Sequence, residues 1–306
     1  MQLNKITIFK EAQSSVHKVA SCYPQPSFLV YNTMSQLSAK TLQKTVQDFL
    51  ASGSHLRIIY NPSLDALANS NTRRICVLDS SFNPPHLGHY ALIKESLSYK
   101  NQFPKDSQAV LLLFSVKNAD KVTAAPAALE HRLAMMCLMA DYVQKKMQVN
   151  VSVGITDHAK FVDKSSTILR YLKEQNLLAK LTFLVGFDTL LRILNPNYYL
   201  PDKILAALSE FMGSTDLFCL TRNDEKLSVA DQSLYVQTLG SGGHEDLPSI
   251  WSQSISLHTG EIDLVGAMSS SKIRKEVADG RKEWNNEVIP EIHQYIVEQS
   301  LYKKLE

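Results

Sequence analysis

"LDSSFNPPHLGHYALI" (residues 78–93) joins two segments of different periodicity. "RICVLD" (74–79) is short, apolar and followed by turn residues, which predicts a buried strand. "HLGHYALIKESL" (86–97) has apolar residues at helical spacing, so a helix follows after a short loop. Pro84 and Pro85 stiffen that loop and keep the helix from extending backward. A strand, a loop and a helix in this order are the opening unit of an α/β fold.

The rest of the chain repeats this alternation. Helical segments separate further apolar runs that predict buried strands, at 109–116, 149–155, 181–186 and 216–222. Strands that alternate with helices predict a Rossmann-like, doubly wound parallel sheet covered on both faces. Ligands bind such sheets at the carboxyl ends of the strands. The loop after "RICVLD" is therefore in the right place for a site.

An additional segment precedes this unit. The sequence predicts a strand, a helix and a strand at 27–32, 38–53 and 56–62, and a polar joint at 63–72. We therefore divide the chain into an N-terminal α/β extension, residues 1–70, and a main domain, residues 71–306.

Composition excludes several classes of protein. A chain of 306 residues with 44% hydrophobic residues can bury a full core, and a formal net charge of +2 with interspersed charges argues against nucleic-acid and membrane binding. No apolar run reaches the roughly 18 residues of a membrane span, and we expect a cytoplasmic protein, with the nucleus as a second location. No CxxC pair suggests zinc, and small buried thiols are the expected state of the four cysteines, Cys22, Cys76, Cys137 and Cys219.

Two histidines mark the predicted loop and helix start. His86 and His89 are three residues apart, so both imidazoles project from one side of the helix. The helix N-terminus offers unpaired N–H groups to an anion, and Gly88 permits close approach to the backbone. A zinc site would favour i, i+4 spacing and a further ligand. We therefore predict a phosphate cradle and no protein-bound metal; the alternative is a pair of ordinary histidines.

A second anion site is predicted late in the chain. In "GAMSSSKIRKEV" (266–277), three serines precede Lys272 and Arg274 at the start of a helix. Serine hydroxyls can cap the helix and hold phosphate oxygens, and arginine can clasp a phosphate with two hydrogen bonds. By itself such a segment is often a capped helix with solvated basic residues. Together with the histidines, it predicts two helix starts that share one polyphosphate.

These segments resemble the nucleotidylyltransferase superfamily, which has an HxGH loop and a late "ISSTKIR"-like segment. Over about residues 73–300, their order is similar to that of the nicotinamide mononucleotide adenylyltransferases. Within that family, the chain resembles the fungal members. The resemblance implies a sheet of the nucleotidylyltransferase type. The segments that carry it are "SSFNPPHLGH" (80–89), "VTAAPAALEHRLAMM" (122–136), "FLVGFDTLLRILNPNYYLPDKI" (183–204), "LFCLTRND" (217–224) and "SSSKIR" (269–274).

The resemblance implies that nicotinamide mononucleotide (NMN) and ATP react to give NAD and pyrophosphate, with Mg²⁺ carried on the ATP phosphates. It implies that His89 holds the α-phosphate and that His86, Lys272 and Arg274 hold the departing pyrophosphate. Further ATP-binding residues would be Ser81, Phe82, Asn83, Gly88, Arg222, Ser269, Ser270 and Ser271. Acceptor-binding residues would be Gly186, Asp188, Tyr199 and Lys121, with Tyr199 in place of the tryptophan that stacks on nicotinamide.

Simpler interpretations of three residues stay open. Asp188 could be a helix N-cap, Tyr199 could pack in a loop, and Lys121 could be a surface lysine. The chain also departs from the family pattern at three places. Ser80 stands where glycine is usual, so a positive φ there would be strained. His86 stands where eukaryotic members often have threonine, and Tyr199 is a smaller stacking surface than tryptophan.

Two other functions compete with NMN adenylylation. Nicotinate mononucleotide is the nearest alternative acceptor. A nucleotide-binding regulator that hydrolyses ATP weakly and has lost acceptor chemistry is the alternative from another class. Cytidylyltransferases rank lower because the chain lacks their "RTxGIST" segment. Whether the protein forms a homo-oligomer is left open.

Overall fold

The computed structural model describes residues 38–63, 65–99, 102–117, 127–221, 227–259 and 268–304. Within these ranges the strands are β1 (Leu56–Tyr60), β2 (Arg74–Asp79), β3 (Gln108–Ser115), β4 (Asn150–Thr156), β5 (Lys180–Gly186), β6 (Thr215–Leu220) and β7 (Ile255–His258). The α-helices are α1 (Ala39–Ala51), α2 (Leu87–Ser98), α3 (Leu129–Met147), α4 (Phe161–Glu174), α5 (Phe187–Ile193), α6 (Ile204–Ser214), α7 (Val229–Gly240), α8 (Ser270–Ala278) and α9 (Pro290–Glu298). None of the described helices has both the length and the apolar character that crossing a membrane requires.

The seven strands form one sheet in the order β1-β4-β3-β2-β5-β6-β7. All neighbouring pairs are parallel except β1 and β4. From β2 the chain builds outward to β3 and β4 on one side, and then returns to add β5, β6 and β7 on the other. This reversal leaves a crevice at the carboxyl end of β2. The predicted α/β fold is confirmed, with one antiparallel strand at an edge.

Two hydrophobic cores cover the two faces of the sheet. Along β2, Cys76 and Leu78 belong to the first core, and Ile75 and Val77 belong to the second, as the alternation of a strand requires. Helices α1, α2, α3, α8 and α9 contribute to the first core, and helices α4 to α7 contribute to the second. The crevice at the end of β2 therefore has one wall from each set of helices.

Part of the predicted N-terminal extension belongs to this sheet and core. Leu42 and Phe49 of α1 are fully buried in the first core. Strand β1 pairs with β4, with Leu56 opposite Thr156. The strand predicted at 27–32 lies outside the described residues, and the domain boundary near residue 70 stays a prediction.

We predict that Phe49→Ala lowers the free energy of unfolding by about 3–5 kcal/mol, because it removes a buried aromatic side chain and leaves a cavity. Leu50 is the neighbouring residue, is 56% exposed and serves as the control. Leu50→Ala should change the free energy of unfolding by less than about 0.5 kcal/mol. Urea unfolding followed by circular dichroism measures both. Equal effects of the two substitutions would show that α1 does not belong to the core.

Candidate active site

The histidine loop, Ser80–His86, leads from β2 into α2 and is stabilised by its own imidazoles. His86 is the N-cap of α2, and its Nδ1 accepts a hydrogen bond from the Gly88 N–H at 3.1 Å. Nδ1 of His89 accepts from the His86 N–H, also at 3.1 Å. A ring nitrogen that accepts a hydrogen bond carries no proton. In both neutral imidazoles the proton is therefore on Nε2, so Nε2 is the donor nitrogen of each ring.

Ser80 contacts the second of these histidines. Its Oγ lies 3.0 Å from Nε2 of His89, so the imidazole N–H donates to the serine hydroxyl. Ser80 does not have the positive φ considered above. The left-handed conformation occurs instead at Phe82, with φ of 44°, and the Phe82 ring is fully buried in the first core. The hydroxyl at position 80 thus has a polar partner in the site.

The late serine segment binds the histidine loop directly. Ser269 is the N-cap of α8 and accepts from the Lys272 N–H at 3.1 Å. Ser270 Oγ donates to the carbonyl of Pro84 at 2.9 Å. Arg274 Nη1 donates to the carbonyl of Asn83 at 2.7 Å. Two helix starts that are about 190 residues apart in the sequence therefore meet at one place.

A cavity of about 560 Å³ lies between these helix starts and the ends of the strands. Most of the predicted site residues line it, namely Ser81, Asn83, His86, Gly88, His89, Gly186, Asp188, Ser269, Ser270, Ser271 and Arg274. Phe82, Lys272 and Tyr199 are described but do not line it. Lys121 and Arg222 lie outside the described residues, so their roles stay predictions.

Lys272 lies outside the lining of the cavity, so its predicted role stays a prediction. Its ammonium forms an ion pair with Glu287 and lies 3.8 Å from the carboxylate of Glu276. The hydrogen bond to Glu287 raises the pKa of Lys272. The physical reason is helical geometry, because residues two apart on a helix project about 200° apart. Lys272 and Arg274 therefore leave the helix in different directions, and Arg274 is the one that lines the cavity.

Tyr199 also lies outside the lining of the cavity. Its side chain is only 3% exposed, and its hydroxyl donates to the carbonyl of Ile193 at 2.8 Å, so it is a packing residue. Burial raises its pKa above the ordinary value. The preceding residue, Tyr198, is 40% exposed and lines the cavity. The aromatic side chain at this end of the site is therefore Tyr198.

Arg132 is a site residue that the sequence analysis did not assign. It is buried at the start of α3 and lines the cavity. Its Nε donates to the carbonyl of Ser81 at 2.8 Å, and its guanidinium lies 4.5 Å from the centre of the Phe114 ring. Burial lowers the pKa of Arg132 to about 10, so it remains charged at neutral pH. The "EHR" triplet that contributed to the resemblance was the available signal.

Arg132 and Arg274 form a cationic wall with the two imidazoles on one side of the cavity. No carboxylate of the described residues lies within ion-pair distance of either guanidinium. Because no acidic side chain of the described residues neutralises either guanidinium, the cationic wall is suited to an anion with several charges.

The opposite wall is aromatic and mixed in charge. Phe161 and Tyr198 line it together with Asp188, Thr189 and Arg192. The N-cap of α5 is Gly186, so Asp188 is not the cap of that helix. Its carboxylate is 59% exposed and lies 3.8 Å from the Arg192 guanidinium. This wall offers ring faces and polar groups to a nucleoside.

A buried ion pair lies beside the histidine loop. Asp79, the last residue of β2, lines the cavity, and its Oδ2 is 2.6 Å from Nζ of Lys164 on α4. The Lys164 side chain is only 1% exposed. The pair connects the end of β2 to the helix of the aromatic wall. Removal of either partner would leave a buried charge unpaired, which is costly.

The chain matches a known family. Residues 77–276 match the family model described as "Cytidylyltransferase-like". A protein of Schizosaccharomyces pombe named "Putative nicotinamide mononucleotide adenylyltransferase" is 35% identical over 219 residues, which are 71% of this chain and 81% of that protein.

Two solved structures are also similar. They are of the Plasmodium falciparum nicotinic acid mononucleotide adenylyltransferase, complexed with APC and with NaAD. Each is 14% identical to this chain, with a TM-score of 0.49 over 75% of this chain and 97% of that chain. The family match and the relative from S. pombe are the informative comparisons. By these two matches, the chain belongs to the cytidylyltransferase-like family, among the nicotinamide mononucleotide adenylyltransferases.

Proposed function

We propose that this protein transfers the AMP moiety of ATP to NMN, giving NAD and pyrophosphate. One observation carries the proposal: two remote helix starts bring imidazole, hydroxyl and guanidinium groups to a single cavity. The name of the relative from S. pombe supports NMN as the acceptor. Nicotinate mononucleotide is the competing acceptor.

The cationic wall would hold the triphosphate. His89 would donate its Nε2 proton to the α-phosphate, and Ser80 Oγ keeps that nitrogen protonated and oriented before ATP arrives. His86 and Arg274 would hold the β- and γ-phosphates, together with Ser269, Ser270 and Ser271. Arg132 would join them, because its buried charge faces the cavity and has no acidic partner among the described residues.

The reaction would be a direct displacement at phosphorus. A phosphate oxygen of NMN forms a bond to the α-phosphorus, the bond from that phosphorus to the bridging β-oxygen breaks, and pyrophosphate leaves with its electron pair. The nucleophile is already anionic, so no general base is needed. Catalysis then depends on alignment and on stabilisation of the charge that develops on the phosphoryl oxygens.

Mg²⁺ fits this cavity only as an ion carried by ATP. Among the described residues that line the cavity, the carboxylates are Asp79 and Asp188. Asp79 is paired with Lys164 at 2.6 Å, which leaves Asp188 as the acidic ligand within reach. Mg²⁺ commonly binds through substrate phosphates and water with one or two carboxylates. When bound, it would neutralise part of the triphosphate charge.

The aromatic wall would bind the nucleoside groups. Tyr198 and Phe161 offer ring faces for the nicotinamide end of the acceptor. Gly186 permits close approach at the carboxyl end of β5, and Asp188 offers oxygen acceptors for ribose hydroxyl groups. Tyr198 thus replaces Tyr199 in the stacking role that the family resemblance implied.

We predict that the purified protein forms NAD from ATP and NMN in a coupled dehydrogenase assay, with one pyrophosphate released per NAD. His89→Ala should lower kcat by about 10²–10³, because it removes a donor to the charge that develops in the transition state. His293→Ala, which removes an imidazole that stacks on Trp284, is the control and should retain activity.

Pyrophosphate release from ATP, measured with NMN and with nicotinate mononucleotide as acceptors, separates the alternatives. A preference for nicotinate mononucleotide would change the proposed acceptor and leave the proposed adenylyl transfer unchanged. ATP binding without a product from either mononucleotide would favour the regulator. Normal turnover by a folded His89→Ala protein would contradict the role of His89.

We predict that Tyr198→Ala raises the KM for NMN about two- to tenfold, since an aromatic contact contributes roughly 0.5–1.5 kcal/mol. Tyr199→Phe should leave the KM for NMN unchanged and lower the free energy of unfolding by about 1 kcal/mol, because it removes one buried hydrogen bond. Steady-state kinetics and urea unfolding measure the two effects. A raised KM in Tyr199→Phe together with a normal KM in Tyr198→Ala would return the stacking role to Tyr199.

A further inference from the structure

A cluster of metal-ligating side chains lies on the β1 edge of the sheet. His55 immediately precedes β1, and Asp157 and His158 immediately follow β4. The antiparallel register places Leu56 opposite Thr156, so these two chain segments lie side by side. Residues 102 positions apart in the sequence therefore present their side chains to one another.

The donor atoms of these three residues converge. Nδ1 of His55 is 2.9 Å from Oδ1 of Asp157, and Nδ1 of His158 is 3.9 Å from the same oxygen. One ligand atom from each residue lies within 4.8 Å of the other two. Ligand atoms around a tetrahedral Zn²⁺ are roughly 3–4 Å apart. The His55 and His158 rings stack, with centroids 4.7 Å apart and planes 25° apart, so the rings must turn out of this stack to bring all three atoms to a common centre.

Buried hydroxyl groups hold the backbone of this cluster. Thr156 Oγ1 donates to the carbonyl of His55 at 2.7 Å and accepts from the His158 N–H at 3.2 Å. Ser115 Oγ donates to the carbonyl of His158 at 2.7 Å. Thr156 is 1% exposed and Ser115 is 5% exposed. The same hydroxyl therefore fixes the backbone of both histidines before any ligand binds.

The charges around the cluster also suit the binding of a metal ion. Lys117 Nζ lies 3.0 Å from Oδ2 of Asp157, and Oδ1 is the oxygen that faces the imidazoles. Neutral imidazoles and an ionised carboxylate are the forms that bind a metal.

We propose that His55, Asp157 and His158 form a binding site for a divalent transition metal of the Zn²⁺ class, with water completing the coordination. Two imidazoles and a carboxylate are ligands that Zn²⁺ accepts in proteins. On binding, the proton on Nδ1 of His55 is transferred to Nε2 through solvent, and Lys117 stays on the second carboxylate oxygen.

The site would connect the sheet edge to the cavity without taking part in the reaction. Ser115 and Ala159 line the cavity. Ser115 donates a hydrogen bond to the carbonyl of His158, and Ala159 follows His158 in the chain. The bound metal would link the segment before β1 to the segment after β4, and so would stabilise this edge of the sheet. The site does not depend on the proposed adenylyl transfer.

The test is metal binding by the full-length protein, freed of any affinity tag and dialysed against a chelator. We expect one Co²⁺ per chain with the visible absorption of a tetrahedral or five-coordinate site, displaced by one equivalent of Zn²⁺. Competition titration with a metal indicator should give micromolar or tighter Zn²⁺ affinity. The thermal midpoint of unfolding should rise with Zn²⁺.

Variants decide whether the ion binds at this cluster. Asp157→Asn and His55→Gln should each weaken Zn²⁺ binding at least tenfold, and the half-exposed His55 can be replaced without disturbing the core. His258→Gln is the control, because His258 pairs with Glu95 at 3.3 Å in the same kind of imidazole–carboxylate contact. Absence of Zn²⁺ binding in the unmodified protein overturns the proposal. Equal Zn²⁺ binding in Asp157→Asn, His55→Gln and His258→Gln also overturns it.

Discussion

The histidine loop depends on donors from remote parts of the chain for its shape. Arg132, Ser270 and Arg274 donate to the carbonyls of Ser81, Pro84 and Asn83. Three carbonyls of the loop are thereby held by side chains from two helices. The histidine loop and the two guanidiniums of the cationic wall are therefore organised by the same contacts.

The electrostatics of the cavity follow from this arrangement. Arg132 is buried beside an aromatic ring and has no acidic partner among the described residues, so its charge has a desolvation cost in the free protein. A polyphosphate would compensate that cost on binding. Both histidines receive backbone N–H bonds at Nδ1, so they donate from Nε2 without needing a positive charge. The positive charge of the cationic wall comes from the two arginines, since Lys272 is neutralised by Glu276 and Glu287.

Local patterns in the sequence identified most of the sheet and the centre of the site. Apolar runs located the strands, and the HxGH segment identified the loop at the end of β2, because its chemistry is determined within ten residues. Facts that depend on tertiary packing were not predictable in this way. Adjacent tyrosines give no signal as to which one is buried, and nothing in "EHR" shows that Arg132 faces a cavity. The antiparallel direction of β1 is set by its pairing with β4, a strand about 90 residues away, and not by its own sequence. Helix α7 was missed because few of its residues are fully buried, which leaves no continuous apolar stripe.

The shared triphosphate site is tested most directly by comparing Arg274, which lines the cavity, with Lys272, which does not. Binding of adenosine and of MgATP should be measured by isothermal titration calorimetry in the wild-type protein, Arg274→Met and Lys272→Met. Arg274→Met should weaken MgATP binding about tenfold or more, because it removes a charge-assisted contact with phosphate. It should leave adenosine binding within about twofold, and Lys272→Met should change neither affinity. Equal losses of MgATP affinity in the two variants, or equal losses of adenosine and MgATP affinity in Arg274→Met, would contradict the shared triphosphate site.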